Sequence, residues 1–260
     1  MSQSKTMKTF LLLIVGCIFA TQACAEERQL IEIAIHHFRN KESAERFDRM
    51  MQNAALPVMK EQGIGPVGVF QVADSKILDD NDRVTITPFN SMEEKLRLRK
   101  AFVAATGFWD NAKDYLMQEP GNPATERIEK MLFESFEGMP KLKVPGEPGE
   151  APRRFELRTY KSENEIQGLL KVQMFNEGEM DLFEKVGLQA IFYGEALAAS
   201  DLPQLTYMLV HDDEETQKKT WKTFIEHPEW KTLKNEEQYK VIKLTITKHM
   251  LTATDYSQIR

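Results

Sequence analysis

Two stretches of this chain, one starting at Ile31 and the other at Phe155, carry the same order of features at the same spacing. An internal repeat restricts the possible folds more than any composition does. Ile31-Glu-Ile-Ala-Ile-His36 alternates apolar and polar residues, as does Phe155-Glu-Leu-Arg-Thr-Tyr160, and both predict strands. Aligning Ile31 with Phe155 sets Glu32 against Glu156 and, one helix length later, Gly63 against Gly187 without a gap. Between these points residues 41–62 carry Phe47, Met50, Met51, Ala54, Val58 and Met59 as a helical stripe. Residues 163–186 carry Ile166, Leu169, Leu170, Met174, Leu182, Phe183 and Val186 likewise. The two glycines sit where such helices stop. Strands are predicted near 66–72 and 190–195, then near 82–88 and 205–211. Ser91-Met-Glu-Glu94 has the spacing of a capping box, and Asp212 or Asp213 can cap the corresponding helix. Phe102 then meets Phe224 and Phe108 meets Trp230, and strand-forming runs at 128–136 and 239–250 complete each half.

The order β-α-β-β-α-β, twice, is that of the ferredoxin-like unit, with both helices on one face of an antiparallel sheet. Each unit leaves its other face uncovered. Packing the two open faces together predicts an α+β fold in which tandem ferredoxin-like repeats form a single-chain dimeric α+β barrel with a lumen between the sheets. Residues 138–154 hold four prolines and three glycines, which break helix and ladder alike. The expected organisation is a first unit over 26–139, a linker over 140–152 and a second unit over 153–260.

Residues 1–25 read as a signal peptide. Lys5 and Lys8 precede an apolar run from Phe10 to Ala20, too short to span a bilayer, and Ala23-Cys24-Ala25 supplies a small-x-small cleavage site. Export to a periplasmic or extracellular space is the expectation. The alternative is a lipid anchor on Cys17 or Cys24, although neither has Leu three residues before it. These are the only two cysteines, so cleavage removes thiol chemistry and disulfides together. No later run is long enough to cross a membrane. With 34 Lys+Arg against 40 Asp+Glu and no basic run, the chain lacks the cationic face of a nucleic-acid binder.

Phe155-Glu-Leu-Arg-Thr-Tyr160 resembles the signature strand of the NIPSNAP family. Gly194-Glu-Ala-Leu197, the run from Asp201 to Asp213, Trp221-Lys-Thr-Phe224 and His227-Pro-Glu-Trp-Lys231 resemble that family's later strands and second helix, in the same order. The resemblance covers about residues 153–250; the first half fits only in outline, as a degenerate copy. It implies a dimeric α+β barrel and no defined activity. Related barrels include monooxygenases, isomerases and haem enzymes, so the fold does not select a reaction.

Alternation divides each first strand into two faces. Ile31, Ile33 and Ile35, like Phe155, Leu157 and Thr159, are expected to meet the helices. Glu32 and His36, with Glu156, Arg158 and Tyr160, are then expected to line the lumen, joined by Tyr193, Tyr207 and His211 from later strands. Such a group can orient an anionic or carbonyl ligand, and it can equally be a structural ion pair that plugs the barrel. His211 can be a base, a haem ligand or only a residue beside a helix cap. No bound metal is expected, since His36 and His37 are adjacent and point to opposite faces, and His211, His227 and His249 are far apart. No cofactor is expected, haem being the one exception kept open. The aromatics Trp221, Phe224 and Trp230, like Phe102, Phe108 and Trp109, read as core, with the mouth of a pocket as the alternative. Gly63-Ile-Gly-Pro-Val-Gly68 spells G-x-G-x-x-G but follows a helix and precedes a strand, the reverse of a dinucleotide site. The expected function is binding of a small, partly apolar ligand or a protein partner, with a homo-oligomer possible. The alternatives are a cofactor-poor monooxygenase or isomerase and a haem-binding barrel. N-terminal sequencing of the exported protein from its native source is expected to begin at Glu26; a start at Met1, or at a lipidated Cys17 or Cys24, would overturn the signal-peptide reading.

Overall fold

The computed structural model describes residues 27–119, 121–146 and 151–260. The signal-peptide expectation, with Cys17 and Cys24, lies outside them. The first half runs β1 (Leu30–Phe38), α1 (Lys41–Met50), a π-helical turn (Met51–Ala55), α2 (Leu56–Glu61), β2 (Gly68–Ser75), β3 (Arg83–Phe89), α3 (Met92–Ala104), α4 (Thr106–Leu116) and β4 (Thr125–Ser135). The second runs β5 (Arg154–Ser162), α5 (Glu165–Met174), a π-helical turn (Phe175–Glu179), α6 (Met180–Val186), β6 (Gln189–Ala198), β7 (Gln204–His211), α7 (Glu214–Glu226), α8 (Pro228–Leu233), a 3-10 turn (Glu237–Tyr239) and β8 (Leu244–Ala253). The repeat holds down to its punctuation. Asn40 and Asn164 cap α1 and α5, each accepting a hydrogen bond from the backbone N–H three residues on. Gly63 and Gly187 both adopt left-handed backbone, φ +72° and +86°, where the helices end. Ser91 and Asp213 cap α3 and α7 in the same way.

Within each half the strands order as 4-1-3-2, and the halves join through β2–β8 and β4–β6. The result is one closed, antiparallel eight-stranded barrel. A barrel of eight strands leaves an interior that side chains can fill. Ile31, Ile33, Ile35, Val84, Ile86, Phe155, Leu157, Met208, Val210 and Leu251, with neighbours from β2, β4 and β6, fill it. Ile259 from the C-terminal tail joins them, held by hydrogen bonds from Gln258 N–H to the Val67 carbonyl and from Thr254 N–H to the Val69 carbonyl, each 3.0 Å.

This reverses the expected assignment of faces. The aliphatic side of β1 and β5 turns into the barrel, and the mixed side that carries Glu32, His36, Glu156, Arg158 and Tyr160 meets the helices. The physical reason is supply of partners. The middle of the barrel interior offers apolar neighbours only, and the polar residues on that face pair with one another, Thr159 with Thr206 and Ser75 with His249. The helix layer brings donors and acceptors of its own. Two apolar layers therefore lie outside the barrel. One, under α1–α4, contains Ala44, Phe47, Val69, Phe89 and Leu98. The other, under α5–α8, contains Tyr160, Phe175, Phe183, Tyr193, Tyr207 and Phe224.

Smaller differences concern boundaries. The last strand begins at Leu244 rather than 239, because Tyr239 sits in the 3-10 turn and donates its hydroxyl to Glu177 at 2.5 Å. In the Pro/Gly-rich segment, Leu142 N–H donates to Gln29 Oε1 and Lys143 N–H to the Ile191 carbonyl, so its described part runs along the barrel.

Candidate functional site

Glu156, near the start of β5, is 1 % exposed and is the centre of a polar network between sheet and helices. Its Oε1 accepts from Arg158 Nη1 at 2.7 Å. Its Oε2 accepts from Gln217 Nε2 and Trp221 Nε1, both at 2.8 Å and both on α7, and lies 3.2 Å from His211 Nε2. Burial alone pushes this carboxyl upward; His211, Arg158 and Trp221 outweigh it and hold the group at about 2. Glu156 therefore stays ionised and fastens α7 to the sheet.

Arg158 lies over the Trp221 ring, 4.4 Å from its centroid, and its Nη2 donates to the Tyr160 hydroxyl at 3.3 Å. The Tyr160 and Tyr207 hydroxyls are 2.8 Å apart. Burial raises both phenols, so they share this bond in neutral form. The Arg158 Nε is buried without a partner. Beneath this lies a second buried pair, Lys171 on α5 with Glu179 at the end of the π-helical turn. The Lys171 ammonium sits 4.6 Å from the Phe175 ring, 5.5 Å from Trp230 and 5.6 Å from Tyr160. Burial raises the Glu179 carboxyl against the opposing pull of Lys171.

An open groove of about 690 Å³ runs over this network, between α7–α8 and the β5–β8 ladder. Arg158 and Tyr160 contribute to its floor, Trp221, Trp230 and Ile225 to its apolar wall, and Lys248 to its opposite side. Phe224 is buried core, whereas Trp221 and Trp230 are only partly covered and wall the groove, the alternative the sequence left open. Trp109 is exposed.

Five of the eight candidates thus come together: Glu156, Arg158, Tyr160, Tyr207 and His211, on the helix side of the sheet rather than in the lumen. Tyr193 is adjacent, its ring centroid 5.7 Å from that of Tyr207, but it packs against Phe136 and Phe175 and borders a separate depression beside residues 138–146. Glu32 and His36 lie in the other half. Glu32 pairs with Lys95 and Lys130. His36 packs 4.4 Å from Phe47, and burial, with Lys130 and His37 adding to it, holds it neutral with a pKa of about 3. His37 points the other way, to Asp82 and Glu129. Among the described residues no cluster of three or more His, Cys, Asp or Glu side chains is arranged to hold a metal ion. His211 is buried with its Nε2 on Glu156, and neither it nor His36 lines the groove.

Lys171, Glu179, Gln217 and Lys248 were not singled out by sequence. A signal existed for the first two. The repeat aligns Lys171 with Phe47 and Glu179 with Ala55, so charges stand where the other half has core.

A closed barrel of two ferredoxin-like halves with helices outside is the dimeric α+β barrel architecture. Solved structures similar to this chain in fold include a provisionally assigned monooxygenase from Lactobacillus acidophilus NCFM, with TM-score 0.54 and 8 % identity over 86 % of this chain and 94 % of that one. A second, from Fusobacterium nucleatum subsp. nucleatum, has TM-score 0.51 and 9 % identity over 88 % and 93 %. A chlorite dismutase mutant from Candidatus Nitrospira defluvii has TM-score 0.50 and 11 % identity over 90 % and 94 %. Residues 155–258 match the model of the NIPSNAP family, to which this second half of the chain is therefore similar. No curated protein matches the chain in sequence.

Two outcomes test the network. The folded Glu156 carboxyl titrates at about 2 against an ordinary 4.5, so between those values the unfolded chain binds the extra proton and stability rises with pH. The contribution, on the order of 3 kcal/mol, is complete above about pH 4.5 and is lost as pH falls through about 2. In urea unfolding, the gap between wild type and Glu156→Gln is expected to close over that window; a gap independent of pH would contradict it. For the deeper pair, Lys171→Met strands Glu179 and is expected to cost about 3–5 kcal/mol. The double change Lys171→Phe with Glu179→Ala copies Phe47 and Ala55 and is expected to cost less than the single one. A double variant less stable than Lys171→Met would overturn this account.

Proposed function

We propose that the chain binds a small organic molecule with an apolar, flat body in the groove of its second half. The observation that carries this is the groove itself, walled by two partly covered indoles over a floor to which Arg158 and Tyr160 contribute. The first half supports the reading by contrast. There Ala34 stands at the place of Arg158, Thr85 at that of Tyr207 and His36 at that of Tyr160, and Phe47 fills the space of Lys171. The degenerate copy keeps the frame and the acid Glu32, paired with Lys95 and Lys130, but has no counterpart of Arg158 or of the two tyrosines. Among the described residues no helix is long and apolar enough to cross a membrane. Export through residues 1–25 is part of the same proposal and leaves the groove intact, since its residues come from later elements.

Binding without turnover is the reading we adopt. The two fold relatives described as monooxygenases share 8 % and 9 % identity with this chain, which carries the fold and no residue roles. The test is titration with the neutral fluorophore N-phenyl-1-naphthylamine. Its emission is expected to rise on binding to the wild-type protein and to fail to rise with Trp230→Ala, which opens the wall while leaving the barrel interior untouched. Absence of binding to the wild type, or binding unaffected by Trp230→Ala, would remove the groove as the ligand site and favour a protein partner on another surface.

A further inference from the structure

The helix side of the β5–β8 ladder holds two cations face to face. Arg158 and Lys248 are directly opposed across the strands, and both line the groove. Like charges in opposed positions on one face repel each other. The first half shows how such a site is balanced: its counterpart pair is Ala34 and Lys130, with a single cation, and Lys130 lies 3.8 Å from Glu32. In the second half the acid at that position, Glu156, is turned to Arg158, Gln217, Trp221 and His211. Among the described residues Lys248 has no acidic partner. Glu214 is taken by Lys218 and Arg154, while Asp74 and Glu226 stand on the groove rim, where Lys222 adds another positive charge.

Stacking on Trp221 fixes the plane of the Arg158 guanidinium, so its donors are presented edge-on. One is held by Glu156, one reaches Tyr160, and Nε has no partner. A carboxylate seated between Arg158 and Lys248 relieves the opposed charges, and the apolar wall of Trp221, Trp230 and Ile225 takes an aromatic or aliphatic body attached to it.

We propose that the groove selects organic anions, a carboxylate on a flat apolar body, by means of the opposed Arg158 and Lys248. This rests on the groove being a ligand site and adds the charge of the ligand. The test compares 2-naphthoate with its neutral isostere 2-naphthamide by calorimetry on the wild-type protein and on Lys248→Gln, an exposed position whose replacement leaves the packed layers alone. The wild type is expected to bind the carboxylate at least about tenfold more tightly than the amide, with the preference shrinking as salt is raised. Lys248→Gln is expected to weaken the carboxylate about tenfold and leave the amide unchanged. Equal or tighter binding of the amide by the wild type, or a preference unaltered by Lys248→Gln, overturns the anion proposal while the groove stands. Failure of 2-naphthoate, 2-naphthamide and N-phenyl-1-naphthylamine alike removes the groove, and this proposal falls with it.

Discussion

Closure of the sheet, made by β2 pairing with β8 and β4 with β6, decides what every other residue in this chain can do. A closed barrel has no edge strands to protect, and its middle is packed with apolar side chains from every strand. That packing takes the aliphatic face of each strand inward, where Phe70 and Phe155 meet with ring centroids 4.9 Å apart at the junction of the halves. The alternating face is then committed to the helices. A polar site in this architecture has to lie between sheet and helices, where α7 can send Gln217 and Trp221 down to a carboxylate and where an edge stays open to solvent.

The two halves share this frame and diverge in what they place under the helices. Under α1–α4 the neutral His36 is folded in among Phe38 and Phe47, beside a buried ion pair of that half's own, Arg83 with Asp48 of α1. Under α5–α8 two ion pairs are buried within one aromatic cluster. Buried pairs do little for stability against apolar replacements of the same volume. The first half, with Phe47 and Ala55 in those places, demonstrates that the frame closes without them. Both halves have a π-helical turn at the same point, and only in the second does it carry a buried acid, Glu179.

Much of the frame was legible because it is written in local chemistry. Helix caps at Ser91 and Asp213 and helix stops at Gly63 and Gly187 depend on neighbours a few residues away, so the sequence exposes them directly. The pairing of Glu156 with Arg158 follows from the same alternation. What alternation leaves open is which face turns inward, because a period of two groups residues without orienting them. The aliphatic face was assigned to the helices on the assumption that helices take the most apolar surface. In a closed barrel a still drier layer exists, and it takes that surface first. Lys171 was hidden for a different reason: within a stripe of Leu169, Leu170 and Met174 one lysine reads as a helix edge. Only its aromatic surroundings, assembled from Tyr160, Phe175 and Trp230 across more than one element, reveal it as buried.

The depressed Glu156 carboxyl also bears on the proposed ligand site. An acid held at about 2 remains charged at any pH the protein encounters outside strong acid, so Arg158 is never released from it by protonation. The guanidinium is pinned on one side by Glu156 and on its face by Trp221, and it has no freedom to swing toward a ligand. In the proposed site the adaptable group is then Lys248, on a flexible stem at the groove side. A fixed arginine opposite an adaptable lysine gives a site that presents one donor set in advance and pays ordering entropy on a single side chain when a ligand arrives.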